Sequence, residues 1–155
     1  MTYIKNQILQ NNALEAWAMS IRYCDYILEG KATLEYRKHF VSALHNAVEL
    51  FLKQLMLNNV DYRVIQLKNG CNSDGFPVRD FYNSTNLNDY FSSLDKETMK
   101  KFFSIEFNKM IDITKELFRE YYEENSGISV KDDLTLLNKL RNDETHFFID
   151  KDTFL

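Results

Sequence analysis

Arg141, Asn142 and His146 sit close together near the end of the chain, in the stretch LLNKLRNDETHFFID. On a helix, positions four apart share a face, so Asn142 lies one turn beneath His146. Arg141 precedes the histidine by five positions, about 140° around the axis and about 7.5 Å along it, within reach of its long side chain. One helix would then present a cation, an amide and an imidazole to a common volume. A guanidinium grips a phosphate with two parallel hydrogen bonds, and an imidazole moves protons near neutral pH. Together they suit cleavage of an RNA phosphodiester, where the 2′-hydroxyl is the internal nucleophile and no metal is required. One histidine cannot act as base and acid in the same step. A twofold dimer bringing two such helices together would supply both roles, with two arginines for the pentavalent phosphate. The plainer reading is an Arg141 that bridges to Asp143 or Glu144 on an exposed face, with His146 stabilised by the dipole at a helix end.

These residues need a helix to carry them, and the spacing of apolar residues supplies one over 130–148, capped by Ser129 and carrying Leu134, Leu137 and Leu140. Three more helices precede it. The first is expected over 13–29, capped by Asn11 or Asn12 and stopped by Gly30, with Leu14, Trp17, Ala18, Ile21, Cys24 and Leu28 as its buried stripe. The second starts after Thr33 and runs to about 58, with Leu34, Val41, Leu44, Val48, Phe51, Leu52 and Leu55 facing a core. His45 and Glu49, one turn apart, could pair on its flank. The third starts at Asp95 and ends by Gly127. From Met99 through Phe102, Phe103, Phe107 and Met110 to Tyr122 its apolar residues cover more than half the circumference, which predicts packing on two sides or use at a subunit interface.

Residues 60–88 break this pattern. They hold NGCNSDGFP, with the chain's sole proline, and form an irregular insertion between helices two and three. YRVIQL before Asn69-Gly70 could be a short strand entering a turn. The aromatic and cationic residues of the segment (Tyr62, Arg63, Lys68, Phe76, Arg79, Phe81, Tyr82) would suit either RNA contact or a surface loop tucked on its own aromatics. The expected fold is therefore all-α: one domain over 1–155, an up-and-down four-helix bundle with one long insertion.

Composition sets the outer limits. Hydrophobic residues make up 45% and charged residues 27% of the chain, which is globular and not disordered. A net charge of -4 argues against a general basic nucleic-acid binder while leaving room for a local cationic site. Two cysteines are too few to staple a fold of this size, so a reduced, cytoplasmic setting is expected. No stretch is long and apolar enough for a membrane span, and no signal peptide is expected. No metal or cofactor is expected either. His39 and His45 are six apart, on different faces of their helix, and there is no Glu-x-x-His pair of the di-iron kind. Cys24 reads as core, and Cys71 has no base nearby in sequence.

An arginine followed by a polar Asn142 and, five positions on, His146, placed on the last helix of a four-helix bundle, resembles the HEPN superfamily. NAVELFLKQLML in the second helix is similar in character to a helix its members often carry. The resemblance implies a metal-independent ribonuclease, of toxin or antiphage-defence type, with a composite site at a homodimer interface. It implies that Arg141 holds the phosphate, His146 moves protons and Asn142 positions the imidazole or substrate. RNA is then the substrate, and an antitoxin or regulatory partner is an expected companion. Two features depart from the family pattern. Asp143 and Glu144 stand where many relatives are apolar, so their charge has to point away or be paired. Phe148 stands where a modifiable tyrosine is common, so any silencing would take another route. The alternative is a non-catalytic helical binding module, such as an antitoxin or a degenerate HEPN partner.

Overall fold

The structure, a computed structural model, describes residues 3–31, 33–59, 62–67, 95–123 and 129–145. These residues are mainly helical: α1 Tyr3–Leu28, α2 Leu34–Asn58, α3 Lys96–Lys101, α4 Phe107–Leu117, α5 Arg119–Tyr122 and α6 Val130–Thr145. Two short strands, β1 Ile65–Leu67 and β2 Phe102–Ser104, form an antiparallel ribbon, and a 3₁₀ turn, Tyr62–Val64, leads into β1.

Local signals explain the element boundaries. Gly30, at φ 84°, closes α1 in the left-handed conformation, with Lys31 N donating to Tyr26 O and Gly30 N donating to Ile27 O. Those two bonds are the paired closure that glycine permits at a helix end. Thr33 Oγ1 accepts from Tyr36 N at the start of α2, and Ser129 Oγ accepts from Asp132 N at the start of α6. Asn11 and Asn12, expected as the first cap, lie inside α1 instead, because helical residues continue back to Tyr3.

The buried side of α1 differs from the expected stripe. Ala13, Ala16 and Ser20 are buried, whereas Leu14, Trp17, Ile21 and Leu28 are exposed, Leu28 by 78%. α1 packs chiefly on α2, which offers Ala43 and Ala47 as buried positions of its own. Small side chains let the two helices approach closely, so the interface selects Ala and Ser, and the bulkier residues fall to one side of it. On α2, Val41 and Leu52 are buried as expected, joined by Met56 and Leu57, while Leu34 and Leu55 are exposed.

The expected third helix is interrupted. Its middle is β2, whose backbone pairs with β1 in the register Ile65 to Ser104, Gln66 to Phe103 and Leu67 to Phe102. Successive phenylalanines favour a strand over a helix when a partner strand is on offer. The expected strand in YRVIQL is thus present at its last three residues. Removing Phe102 and Phe103 from the helix also removes the apparent two-sided packing. α4 buries a single stripe, Phe107, Met110, Ile111 and Thr114, at the i, i+3, i+4, i+7 spacing. The chain breaks again at Phe118, and α5 returns Tyr122 to the core, where its hydroxyl lies 2.6 Å from Thr114 Oγ1. Thr114 spends its own proton on Met110 O at 2.8 Å, so Tyr122 donates to it. Burial pushes the Tyr122 phenol up from its ordinary value. The main core gathers Leu52, Met56, Leu57, Val64, Ile105, Phe107, Met110, Ile111 and Tyr122, with Val130 and Leu134 of α6 against it.

The insertion expected over 60–88 lies almost entirely outside the described residues, as do 146–148 at the expected end of the last helix. No helix among the described residues is long and apolar enough to cross a membrane.

Two substitutions read the orientation of α1. Ala13→Leu forces extra carbons into a closed interface and should cost about 1–3 kcal/mol. Leu28→Ser should stay within about 0.5 kcal/mol of the parent. Chemical denaturation measures both, and a large loss in Leu28→Ser with none in Ala13→Leu would reverse the assignment.

Candidate functional site

A polar line runs up α2: His45, Glu49 and Lys53, each one turn above the last. His45 is buried, only 5% exposed. A buried imidazole needs partners for both ring nitrogens. Its Nε2 lies 3.0 Å from Asn138 Oδ1 on α6, and its ring stacks on Phe107 at 4.3 Å between centroids. Asn138 Nδ2 donates in turn to Asn108 Oδ1 at 3.2 Å. That orientation of the amide leaves Oδ1 to accept, so Nε2 of His45 carries the proton and Nδ1 is the open lone pair.

Nδ1 faces Glu49 Oε2 at 3.8 Å, beyond hydrogen-bond length. The other Glu49 oxygen takes Lys53 Nζ at 2.6 Å, and Lys53 also donates to Ser104 Oγ at 3.1 Å. Two sets of bonds, Asn108–Asn138–His45 and Glu49–Lys53–Ser104, therefore meet beside one imidazole, the first joining α4, α6 and α2 and the second joining α2 to β2. The interruption of the third helix is what makes this possible. It starts α4 afresh at Phe107, setting that ring against His45 and Asn108 beside Asn138.

Burial is the largest influence on His45 and lowers its pKa from the ordinary 6.5; the Asn138 bond and Glu49 pull it up, and the charges of Arg141 and Lys53 push it down again. The net result is a neutral imidazole at pH 7. Arg141 is near enough for its charge to be felt at the ring.

On α6, Asn138, Arg141 and Asn142 fall at i, i+3 and i+4, and all three line one cleft of about 460 Å³ with His45, Glu49 and the 104–108 segment. A second cleft of about 290 Å³ opens between α1 and α2 and is also lined by His45, Glu49 and Arg141. Arg141 thus stands where the two clefts meet. Arg141 and Asn142, singled out from the sequence, are both exposed and do share a volume. His146, the third, lies outside the described residues. Asp143, the acidic residue inside the motif, is held by Lys139 one turn back, so its charge is compensated by a neighbour on its own helix.

Sequence reasoning placed His45 with Glu49 on the flank of α2. The structure keeps the two 3.8 Å apart but buries His45 and bonds it to α6, while Glu49 also takes Lys53. The available signal was the unbroken i, i+4, i+8 run of polar residues. Asn138 and Asn108 gave no signal of their own. No group of three or more His, Cys, Asp or Glu side chains among the described residues is placed to hold a metal ion. No family model, no curated protein and no solved structure matches the chain.

The depressed His45 pKa has a definite effect on stability. Between the folded value and 6.5 the unfolded chain binds the extra proton and the folded chain does not. The contribution is fully present above 6.5 and is lost as pH falls through the folded value. Thermal melts from about pH 8 to about pH 5 should show this fall, and His45→Gln should flatten it. Asn138→Leu strands the buried Nε2–H and should cost about 1–3 kcal/mol. An unchanged melting temperature in Asn138→Leu would mean the His45–Asn138 bond contributes nothing.

Proposed function

We propose that this chain is a HEPN-like four-helix domain that acts as a metal-independent endoribonuclease, of the toxin or antiphage-defence kind, working as a homodimer. α1, α2, the interrupted third helix and α6 would be the four helical units. The observation that carries the reading is that Arg141 and Asn142 open onto one cleft beside a buried, neutral imidazole. A guanidinium at the mouth of a cleft with polar walls is suited to an RNA phosphate.

In the proposed reaction a base takes the proton of the 2′-hydroxyl, and the 2′-oxygen forms a bond to phosphorus. The bond to the 5′-oxygen breaks, and that oxygen receives a proton. Products are a 2′,3′-cyclic phosphate and a 5′-hydroxyl. Arg141 stabilises the charge on the pentavalent phosphate, His146 moves protons, and Asn142 positions substrate or imidazole. The second copy supplies the second histidine. His45, held on Asn138, is a positioning residue that sets how α6 presents Arg141 and Asn142.

Glu49 and Glu106 on the wall of the same cleft favour a second reading, since carboxylates oppose a phosphate backbone. In that reading the chain is a non-catalytic helical binding module, an antitoxin or a degenerate HEPN partner. Expression separates the two. The nuclease should arrest growth, and Arg141→Ala and His146→Ala should relieve the arrest. In vitro, the purified chain should cut RNA in EDTA, with 5′-hydroxyl ends on the products. Each alanine variant should lose roughly 10²- to 10⁴-fold in rate. Cleavage that survives both substitutions removes this site from the reaction.

A further inference from the structure

The smaller cleft has walls of a different character from the larger one. On the α2 side, His39, Ser42 and Asn46 fall at i, i+3 and i+7 and are all exposed, forming a polar row that continues to Glu49. On the α1 side stands Tyr23, whose ring is stacked on His39 at 5.1 Å between centroids, with 26° between planes. Tyr23 also meets Tyr26, edge-on at 6.2 Å, and Tyr36 at 6.1 Å, and stays partly exposed. His39 is itself steadied by Glu35, 3.7 Å from its Nε2, and its side chain remains 51% exposed. The floor contains Ala43, whose small side chain leaves the space open. Arg141 reaches the cleft from α6.

We infer that this cleft is a subsite for one unpaired nucleotide of single-stranded RNA, with adenine the best-matched base. The inference rests on the reading of the chain as an RNA-binding nuclease and assigns that site a substrate feature. Single-stranded RNA is recognised by stacking splayed bases on aromatic rings and bonding their edges. Here a base extends the Tyr23–His39 stack. The Asn46 amide offers a donor and an acceptor side by side, the pattern that matches the adenine edge. Ser42 adds a hydroxyl for the sugar, and Arg141 takes the adjoining phosphate. From His39 to Asn46 the row spans about 10 Å along the helix, enough for one extended nucleotide. The volume of about 290 Å³ lies at the small end of ligand pockets, which suits a single nucleotide and excludes a duplex.

A 2′-O-methyl oligonucleotide tests the subsite apart from the chemistry, because its nucleophile is blocked. Fluorescence anisotropy with a labelled single-stranded 2′-O-methyl oligoadenylate should show binding by the full chain. Tyr23→Ala should weaken it roughly ten- to hundredfold, and Tyr23→Phe should keep it, because stacking needs the ring and not the hydroxyl. Asn46→Ala, an exposed position whose loss leaves folding intact, should abolish the preference for oligoadenylate over oligouridylate. No binding by the full chain, equal binding by Tyr23→Ala, or a base preference unmoved by Asn46→Ala overturns the subsite. Cleavage of ordinary RNA is scored separately. A chain that cuts RNA but binds independently of Tyr23 loses only the subsite. A chain that binds through Tyr23 and Asn46 but cuts nothing loses only the nuclease assignment.

Discussion

The His45–Asn138 hydrogen bond joins α2 to α6, tying a buried imidazole to a half-buried amide on the wall of the larger cleft. A buried imidazole without its partner is costly, and that cost gives the bond its authority over geometry. Asn138 is one turn from both Arg141 and Asn142. Fixing Asn138 therefore fixes the rotation of α6 about its axis, and with it the direction in which the guanidinium leaves the helix. Phe107 closes the other face of the ring, and Asn108 holds the far side of the amide. The site is thus positioned from three helices, although the groups that would meet a ligand come mostly from one.

The same region shows why the third helical unit is broken. A continuous helix from 95 to 122 would carry Phe107 and Asn108 on whatever face its period dictated. The ribbon of β1 and β2 interrupts that period, and Glu106, in extended conformation, lets α4 begin in a new orientation. Main-chain pairing at 102–104 thereby controls side-chain contacts three and four residues further on, at Phe107 and Asn108. Lys53 reinforces the link, since it bonds both Glu49 on α2 and Ser104 at the end of β2.

What could be read in the sequence follows the range of the forces involved. Thr33, Gly30 and Ser129 mark helix ends through bonds to residues a few positions away, and each does what its type suggests. Arg141 and Asn142 are neighbours on α6, but the cleft that both line is completed by α2 and the 104–108 segment, which the spacing on α6 does not reveal. The buried stripe of α1 departs from the expected one for a packing reason: bulk signals hydrophobicity, but a close helix pair selects Ala13, Ala16 and Ser20, which scarcely register as apolar. β2 was read as helix because its partner is remote in sequence and Phe is tolerated in both states. The partner of His45 lies 93 residues away, and nothing local in Asn138 announces it.

The ribbon also fixes where this chain has freedom to evolve in length. Leu67 is paired with Phe102, so residues 68–101 depart from and return to neighbouring points. A length change between those two anchors can leave the β1–β2 register as it is, while a single-residue insertion between Phe102 and Phe107 would shift Phe107 from the imidazole it covers.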